Sequence, residues 1–372
     1  MTKEISKLNN NIEYMYKYNA NTPRIAVCLN FSINKPDIKH GIYSLMSRLL
    51  LQGTKNYNSE ELATEFEKFA IDFSTNTTPN FLQLKFACLN EDFEKAMELL
   101  NEVLVNSTFE EFEKERTKLK FEIPAQLDSP KMVVVDSYCS TIFKDHYYGV
   151  SLNMTLESID TITKDDVVEA FNYIMHNSKK SIAIVGSIDK DKVLPLVEST
   201  VGKLPESIEG NLQIEKPILN ESREVINHKS DLNQAHIMKG WIVPTYGEKE
   251  YYSLLLLNII LGSSGLSSRL FLELRDKKGL AYVVRSSYET LKLAGNFMIY
   301  IATEPSNIET CLKGFDEEIT KIKTIPVSEK ELDDAKNNLI GKFAFMEETN
   351  AQQANYCAKF DILGYGFDFA QT

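Results

Sequence analysis

Five histidines and five cysteines hold most of this chain's capacity for metal or nucleophilic chemistry. Their spacing argues against both. Two imidazoles bind one metal from a helix only when they share a face. His40, His146, His176, His228 and His236 contain no pair at ligand spacing. Cys28, Cys88, Cys139, Cys311 and Cys357 are odd in number, scattered and never in C-x-x-C. That excludes a disulfide framework and a structural zinc knuckle, and it suits a reducing compartment. Asp145-His146 is a local acid–imidazole pair, which a surface loop explains equally well. Gly262-Ser263-Ser264-Gly265 has the composition of a phosphate loop but no following Lys-Ser/Thr. It reads as a helix stop and turn.

The elements around these residues follow from periodicity. Ile12–Tyr16 and Arg24–Ile33 read as strands. Gly41–Leu51 reads as an apolar helix stopped by Gly53, and Ser59 as the N-cap of the next, with an incomplete capping box because Leu62 stands at N3. Phe73–Thr78 and Phe81–Ala87 suggest a hairpin. Glu91–Val105 and Phe109–Phe121 suggest amphipathic helices. A further helix starts near Thr163, with Asp165 and Asp166 in its first turn. Ser181–Val185 is a buried-strand pattern ending at Gly186. Between Leu204 and Glu221, Pro205, Gly210, Pro217 and several acidic residues mark a linker.

After the linker the pattern restarts. Tyr43-Ser44-Leu45-Met46 and Tyr252-Ser253-Leu254-Leu255 differ by 209 positions, and the same offset carries Gly53 to Gly262. It also carries the strand around Cys28 to one around Ile237, and Cys88 to Phe297. One offset serving several elements indicates an internal duplication. Thr372 corresponds to position 163, so the second copy lacks counterparts of the helix at Thr163 and the strand at Ser181. A sheet so shortened exposes an unpaired edge.

Ser267-Ser268-Arg269-Leu270-Phe271-Leu272-Glu273-Leu274-Arg275-Asp276-Lys277-Lys278-Gly279-Leu280-Ala281-Tyr282 is similar to the S-S-R-L-F-x-E-L-R-x-x-x-G-L-A-Y signature of the insulinase/pitrilysin peptidases. Leu50–Thr54, Leu156–Ile159 and Ile184–Asp189 support the resemblance, which runs from about Leu8 to the C-terminus. The chain most resembles the short bacterial members related to mitochondrial processing peptidase. The resemblance implies an α+β fold of two homologous domains, each a mixed β-sheet packed against helices, with the second incomplete. The expected boundaries are residues 1–205, a linker at 206–222, and 223–372.

Active members of that family carry H-x-x-E-H on the first long helix. Here the matching positions read Ser44-Leu45-Met46-Ser47-Arg48. Two hydroxyls are poor zinc ligands, and a guanidinium repels a cation. Glu122 stands roughly where a distant ligand would fall, and it reads as a solvated helix carboxylate rather than a partner of Arg48. No cofactor is expected in this chain. Arg275 and Tyr282 match the family's Arg/Tyr pair, which by resemblance grips substrate carbonyls from the side facing the zinc. Their expected role is substrate and transition-state binding in a partner's site. The strand Phe297–Ala302 is a candidate edge for peptide addition, with an ordinary core strand equally consistent.

Net charge is −12, which argues against nucleic acid or anionic membrane as the main partner. The polar stretch Met1–Asn11 has no signal-peptide core, and Leu254–Leu261 is too short to span a bilayer. A cytoplasmic location is expected. The reading is a non-catalytic, substrate-binding subunit of a heterodimeric zinc metallopeptidase acting on unfolded peptides, inactive alone. The alternative is a structural or peptide-holding pseudoenzyme with no part in hydrolysis.

Overall fold

The computed structural model describes residues 3–36, 39–209, 214–229 and 232–369. In chain order the first half holds β1 (Lys3–Lys7), β2 (Glu13–Tyr18), β3 (Arg24–Ser32), α1 (Ile42–Leu49), α2 (Ser59–Lys68), β4 (Asp72–Thr77), β5 (Phe81–Leu89), α3 (Phe93–Asn106), α4 (Phe112–Leu127), α5 (Pro130–Ile142), α6 (Leu152–Ile159), α7 (Lys164–Asn177), β6 (Lys180–Gly186) and α8 (Lys190–Ser199). The second half holds β7 (Ala235–Val243), α9 (Tyr251–Asn258), β8 (Ala281–Thr290), β9 (Gly295–Thr303), α10 (Ile308–Thr324), α11 (Glu329–Met346) and α12 (Asn350–Ile362).

The chain forms two compact units that are not contiguous in sequence. One takes Met1–Ile123, Asn153–Gln213 and Met346–Thr372, and the other takes Pro124–Leu152 and Ile214–Phe345. Two helices therefore lie in the other unit from the one a split near residue 205 assigns them. α5 packs on β7, and α12 packs on β3 and β6. The exchange is reciprocal, since each helix follows the second of two long helices in its half.

The first unit is built on a six-stranded sheet of order β1-β2-β6-β3-β5-β4. β2 and β6 run parallel and every other pair runs antiparallel. β6 (KSIAIVG) is buried along its whole length, as an inner strand covered on both faces must be. α12 sits on this sheet through small side chains. Ala354, Cys357 and Ala358 meet Ala26, Cys28 and Ala183, so helix and strands approach closely. The same contact carries amides that pair with each other. Gln83 Nε2 donates to Asn30 Oδ1 at 3.1 Å and to Asn355 Oδ1 at 2.9 Å, and Asn350 Nδ2 donates to the Arg24 carbonyl at 2.8 Å. Buried amides left unpaired would be costly, so this network fixes the seating of α12.

α2 begins one residue earlier than expected. Asn58, not Ser59, is the N-cap, which puts Glu61 at N3 and completes the capping box. Thr163 and Asp166 form a second box at the start of α7. α4 runs through Pro124 to Leu127 rather than stopping near Phe121. A proline removes one helical bond, and Asp128 N–H to Pro124 O at 3.0 Å resumes the ladder.

Lys180 is fully buried at the start of β6. Its Nζ donates to the Glu206 carbonyl at 2.9 Å and the Ser178 carbonyl at 3.3 Å. Burial pushes its pKa down to about 8, with Glu206 opposing. The unfolded chain then binds more protons than the native one between pH 8 and the ordinary lysine range near 10.5. Lys180 alone therefore contributes stability that rises with pH across that window, by on the order of 2–3 kcal/mol. The buried thiols of Cys28, Cys88 and Cys139, pushed up by burial, act in the opposite direction. Lys180→Met is expected to remove the lysine's contribution, so that variant and wild type differ in the change of stability between urea melts at pH 7.5 and pH 10. Parallel curves for the two proteins would contradict the assignment.

The second unit has a three-stranded antiparallel sheet, β7-β9-β8. Its core gathers Leu261, Leu270, Leu274, Ile299, Ile301 and Phe315 on one face. β9, which contains the candidate edge segment, lies in the centre, so the core-strand reading is the one realised. β7 pairs only with β9 among the described residues, and all of its residues are half-buried. The duplication makes residues 222–227 the counterpart of β2. In the first unit β6 stands between β2 and β3. Residues 222–227 carry no regular structure.

Candidate functional site

Gly279 brings Arg275 and Tyr282 together. The chain reaches it through a π-helical turn, Phe271–Lys277, anchored by buried Leu274. Gly279 sits at φ +63°, a left-handed conformation that side-chain-bearing residues resist. Its N–H donates to Arg275 O at 3.1 Å, and the Leu280 N–H donates to Leu274 O at 2.9 Å. The first is the 5→1 bond of a left-handed αL stop and the second reaches further back across the wide π-helical turn, with Leu280 packing in the same core as Leu274. The chain reverses and enters β8 at once. There the register slips between Ala281 and Val283, and Tyr282 is the extra residue of a β-bulge. A bulge releases its residue from the in–out alternation and re-aims it. Tyr282 is 78 % exposed.

The Arg275 guanidinium carbon lies 5.0 Å from the Tyr282 ring centroid and 4.6 Å from that of Phe271. Stacking on two rings orients the guanidinium plane without using its N–H donors. Neighbouring charges of the signature are spent on structure. Arg269 forms a two-bond pair with Glu331 at 2.8 and 2.7 Å, Lys277 pairs with Glu273, and Lys278 pairs with Glu317 at 3.0 Å. Arg275 and Tyr282 have no hydrogen-bond or ion-pair partner among the described residues. Three donor-bearing groups of the signature hold the helix, and these two are left for something else.

Ser44, Ser47 and Arg48 lie on α1 in the first unit. Ser47 is buried, and its Oγ donates back to the Ser44 carbonyl at 2.9 Å. Arg48 meets Glu122 in a two-bond ion pair, Nη1–Oε1 3.1 Å and Nη2–Oε2 2.6 Å. Glu122 is thus a partner of Arg48 and not a free helix carboxylate. A zinc ion does not fit here, because the donors are hydroxyls and the one carboxylate is engaged by a permanent cation. Among the described residues no three His, Cys, Asp or Glu side chains converge on a common point.

The guanidinium of Arg48 holds the Glu122 carboxyl below its usual range. A depressed native pKa contributes stability above the unfolded value and loses it as pH falls through the native one. Both side chains are about a third or more exposed, 31 % and 45 %, so solvent screens the pair. A double-mutant cycle with Arg48→Met and Glu122→Gln is expected to give a coupling of about 1 kcal/mol or less at pH 7, vanishing at acid pH. A coupling several times larger would show a buried network instead.

His146 and His236 make structural contacts. His146 Nδ1 accepts from Tyr148 N–H at 3.1 Å, and its ring packs on Tyr147 and Tyr148, so Asp145-His146 closes a turn. His236 meets the Tyr300 hydroxyl at 2.8 Å. Gly262 is not a left-handed stop. A Cβ there would lie 2.2 Å from Ser286 N, so glycine lets the helix approach β8. Gly265, at φ +73°, makes the turn. The bulge at Tyr282 was not readable from sequence, because it depends on the pairing partner.

Comparisons with known proteins identify the family. Residues 13–156 match the family described as Insulinase (Peptidase family M16), and residues 161–339 match Peptidase M16 inactive domain. An "Uncharacterized zinc protease" of Rickettsia felis is 28 % identical over 324 residues, 86 % of this chain and 77 % of that protein. "Uncharacterized zinc protease YmxG" of Bacillus subtilis is 26 % identical over 322 residues, with the same coverage. A crystal structure of a peptidase M16 inactive domain from Pseudomonas fluorescens superposes with a TM-score of 0.89 at 21 % identity, covering 100 % of this chain and 90 % of that one. A protease from Helicobacter pylori gives 0.88 at 22 %, covering 100 % and 92 %. The chain belongs to the insulinase family, peptidase family M16. No helix among the described residues is long and apolar enough to cross a membrane.

Proposed function

We propose that this chain is the metal-free, substrate-binding half of a two-chain peptidase, working in the cytoplasm with a homologous chain that carries an intact H-x-x-E-H set. The observation that carries the reading is the contrast between two places. The zinc-motif positions are closed by the Arg48–Glu122 pair, while Arg275 and Tyr282 are stacked together with their donors unspent. In this reading the Tyr282 hydroxyl donates to the scissile carbonyl oxygen as negative charge develops on it. Arg275 binds a neighbouring carbonyl of the same extended peptide. Donors held in place before reaction lower the barrier because no reorganisation is needed when the charge appears. Hydrolysis itself belongs to the partner.

The test is reconstitution. The purified chain is assayed on unfolded peptides alone, then after mixing with a zinc-bearing homologue. The expected result is no cleavage alone, and a rate in the mixture well above that of the homologue by itself. Equal rates with and without this chain would leave a peptide-holding or structural protein.

A further inference from the structure

Within the second unit, a concavity of about 170 Å³ opens between α5 and the face of the sheet opposite the Phe315 core. α5 presents Lys131 and Val135 one helical turn apart. β8 presents Arg285 and Glu289 by two-residue alternation, and Met238 and Met298 of β7 and β9 make an apolar floor. The Arg285 guanidinium carbon lies 5.8 Å from the Tyr300 ring centroid. Arg285, Lys131 and Glu289 have no ion-pair partner among the described residues, whereas Lys239 on β7 is paired to Asp316. The surrounding protein pushes the Glu289 carboxyl above its usual range, with Arg285 pulling it back. Two cations against one acid at the opposite end of the strand face make the Arg285 end the favoured place for an anion.

We propose that this concavity is a subsite for the C-terminal residue of a peptide: Arg285 and Lys131 bind the α-carboxylate, and the Met238–Met298 floor takes an apolar side chain. Methionine floors adapt to differently shaped side chains, so the subsite selects a free carboxylate more strongly than one residue type. Arg285 follows Tyr282 by three positions on β8, a rise of roughly 10 Å. An extended peptide held at Tyr282 would bring its carboxylate to Arg285 about three residues further on. The assignment rests on the reading that this chain holds a peptide, but not on any part in hydrolysis.

The experiment is calorimetric titration of the full chain with a tetrapeptide ending in methionine, as the free acid and as the C-terminal amide. The acid is expected to bind at least ten-fold more tightly. Arg285→Met should abolish that preference, and Val135→Trp, which fills the space from the helix side, should weaken the acid at least ten-fold with circular dichroism unchanged. Equal affinity of acid and amide, or a preference that survives Arg285→Met, overturns the subsite. If both forms bind equally and Tyr282→Phe weakens them, the peptide-holding reading stands and the subsite alone falls. If neither form binds, both fall.

Discussion

Tyr282→Phe in this chain is expected to slow peptide cleavage by the two-chain assembly roughly 100-fold to 1,000-fold, the effect of removing one prealigned donor from a developing oxyanion. The loss should fall on kcat, because the hydroxyl acts on charge that exists only in the transition state. Arg275→Met should cost a similar factor, shared between KM and kcat, since a carbonyl bound in the ground state is also lost. Neither change should alter stability by more than about 0.5 kcal/mol. Tyr282 is 78 % exposed and Arg275 has no polar partner to orphan. That separation of activity from stability distinguishes a functional pair from a structural one. Steady-state kinetics and urea melts on the same preparations decide it. Unchanged turnover with Tyr282→Phe would remove the carbonyl-gripping role.

The second large effect is a gain. Ser44→His, Ser47→Glu and Arg48→His together rebuild H-x-x-E-H on α1, with Glu122 released from its guanidinium. Two imidazoles four residues apart share one helical face, and a freed carboxylate nearby supplies a third donor. The triple variant is expected to bind about one zinc per chain by elemental analysis, where the wild type binds none. Arg48→Met alone should bind none. It removes the cation but leaves hydroxyls where imidazoles are needed. Failure of the triple variant to take up zinc, with its fold intact, would mean that α1 does not stand where the family's metal helix stands.

Much of this was legible in the residues themselves. The signature placed Arg275 and Tyr282 seven positions apart, and the two side chains meet in the fold; that Gly279 makes the left-handed stop between them emerged only from the structure. Ser44, Ser47 and Arg48 read as poor metal donors from their chemistry alone. The bulge was hidden because register is decided by β9, not by β8. The exchange of α5 and α12 was hidden for a related reason. An amphipathic pattern says that a helix buries one face, but not against which sheet. The small residues of α12 and the amides Asn350 and Asn355 make sense only beside Cys28, Asn30 and Gln83. Lys180 reads as an ordinary strand-end lysine until the Glu206 carbonyl is found beside it. The ion pair of Arg48 with Glu122 joins residues 74 apart, and charge alone did not choose it over solvent.

Tyr282→p-benzoylphenylalanine, irradiated in the assembled pair with a peptide substrate, reads most directly what this side chain touches. The predicted product is a cross-link to the residues flanking the cleaved bond, formed only when the zinc-bearing chain is present to seat the peptide. Cross-links scattered along the peptide, or none to peptide while the pair still cleaves it, would contradict a role for Tyr282 at the reacting carbonyl.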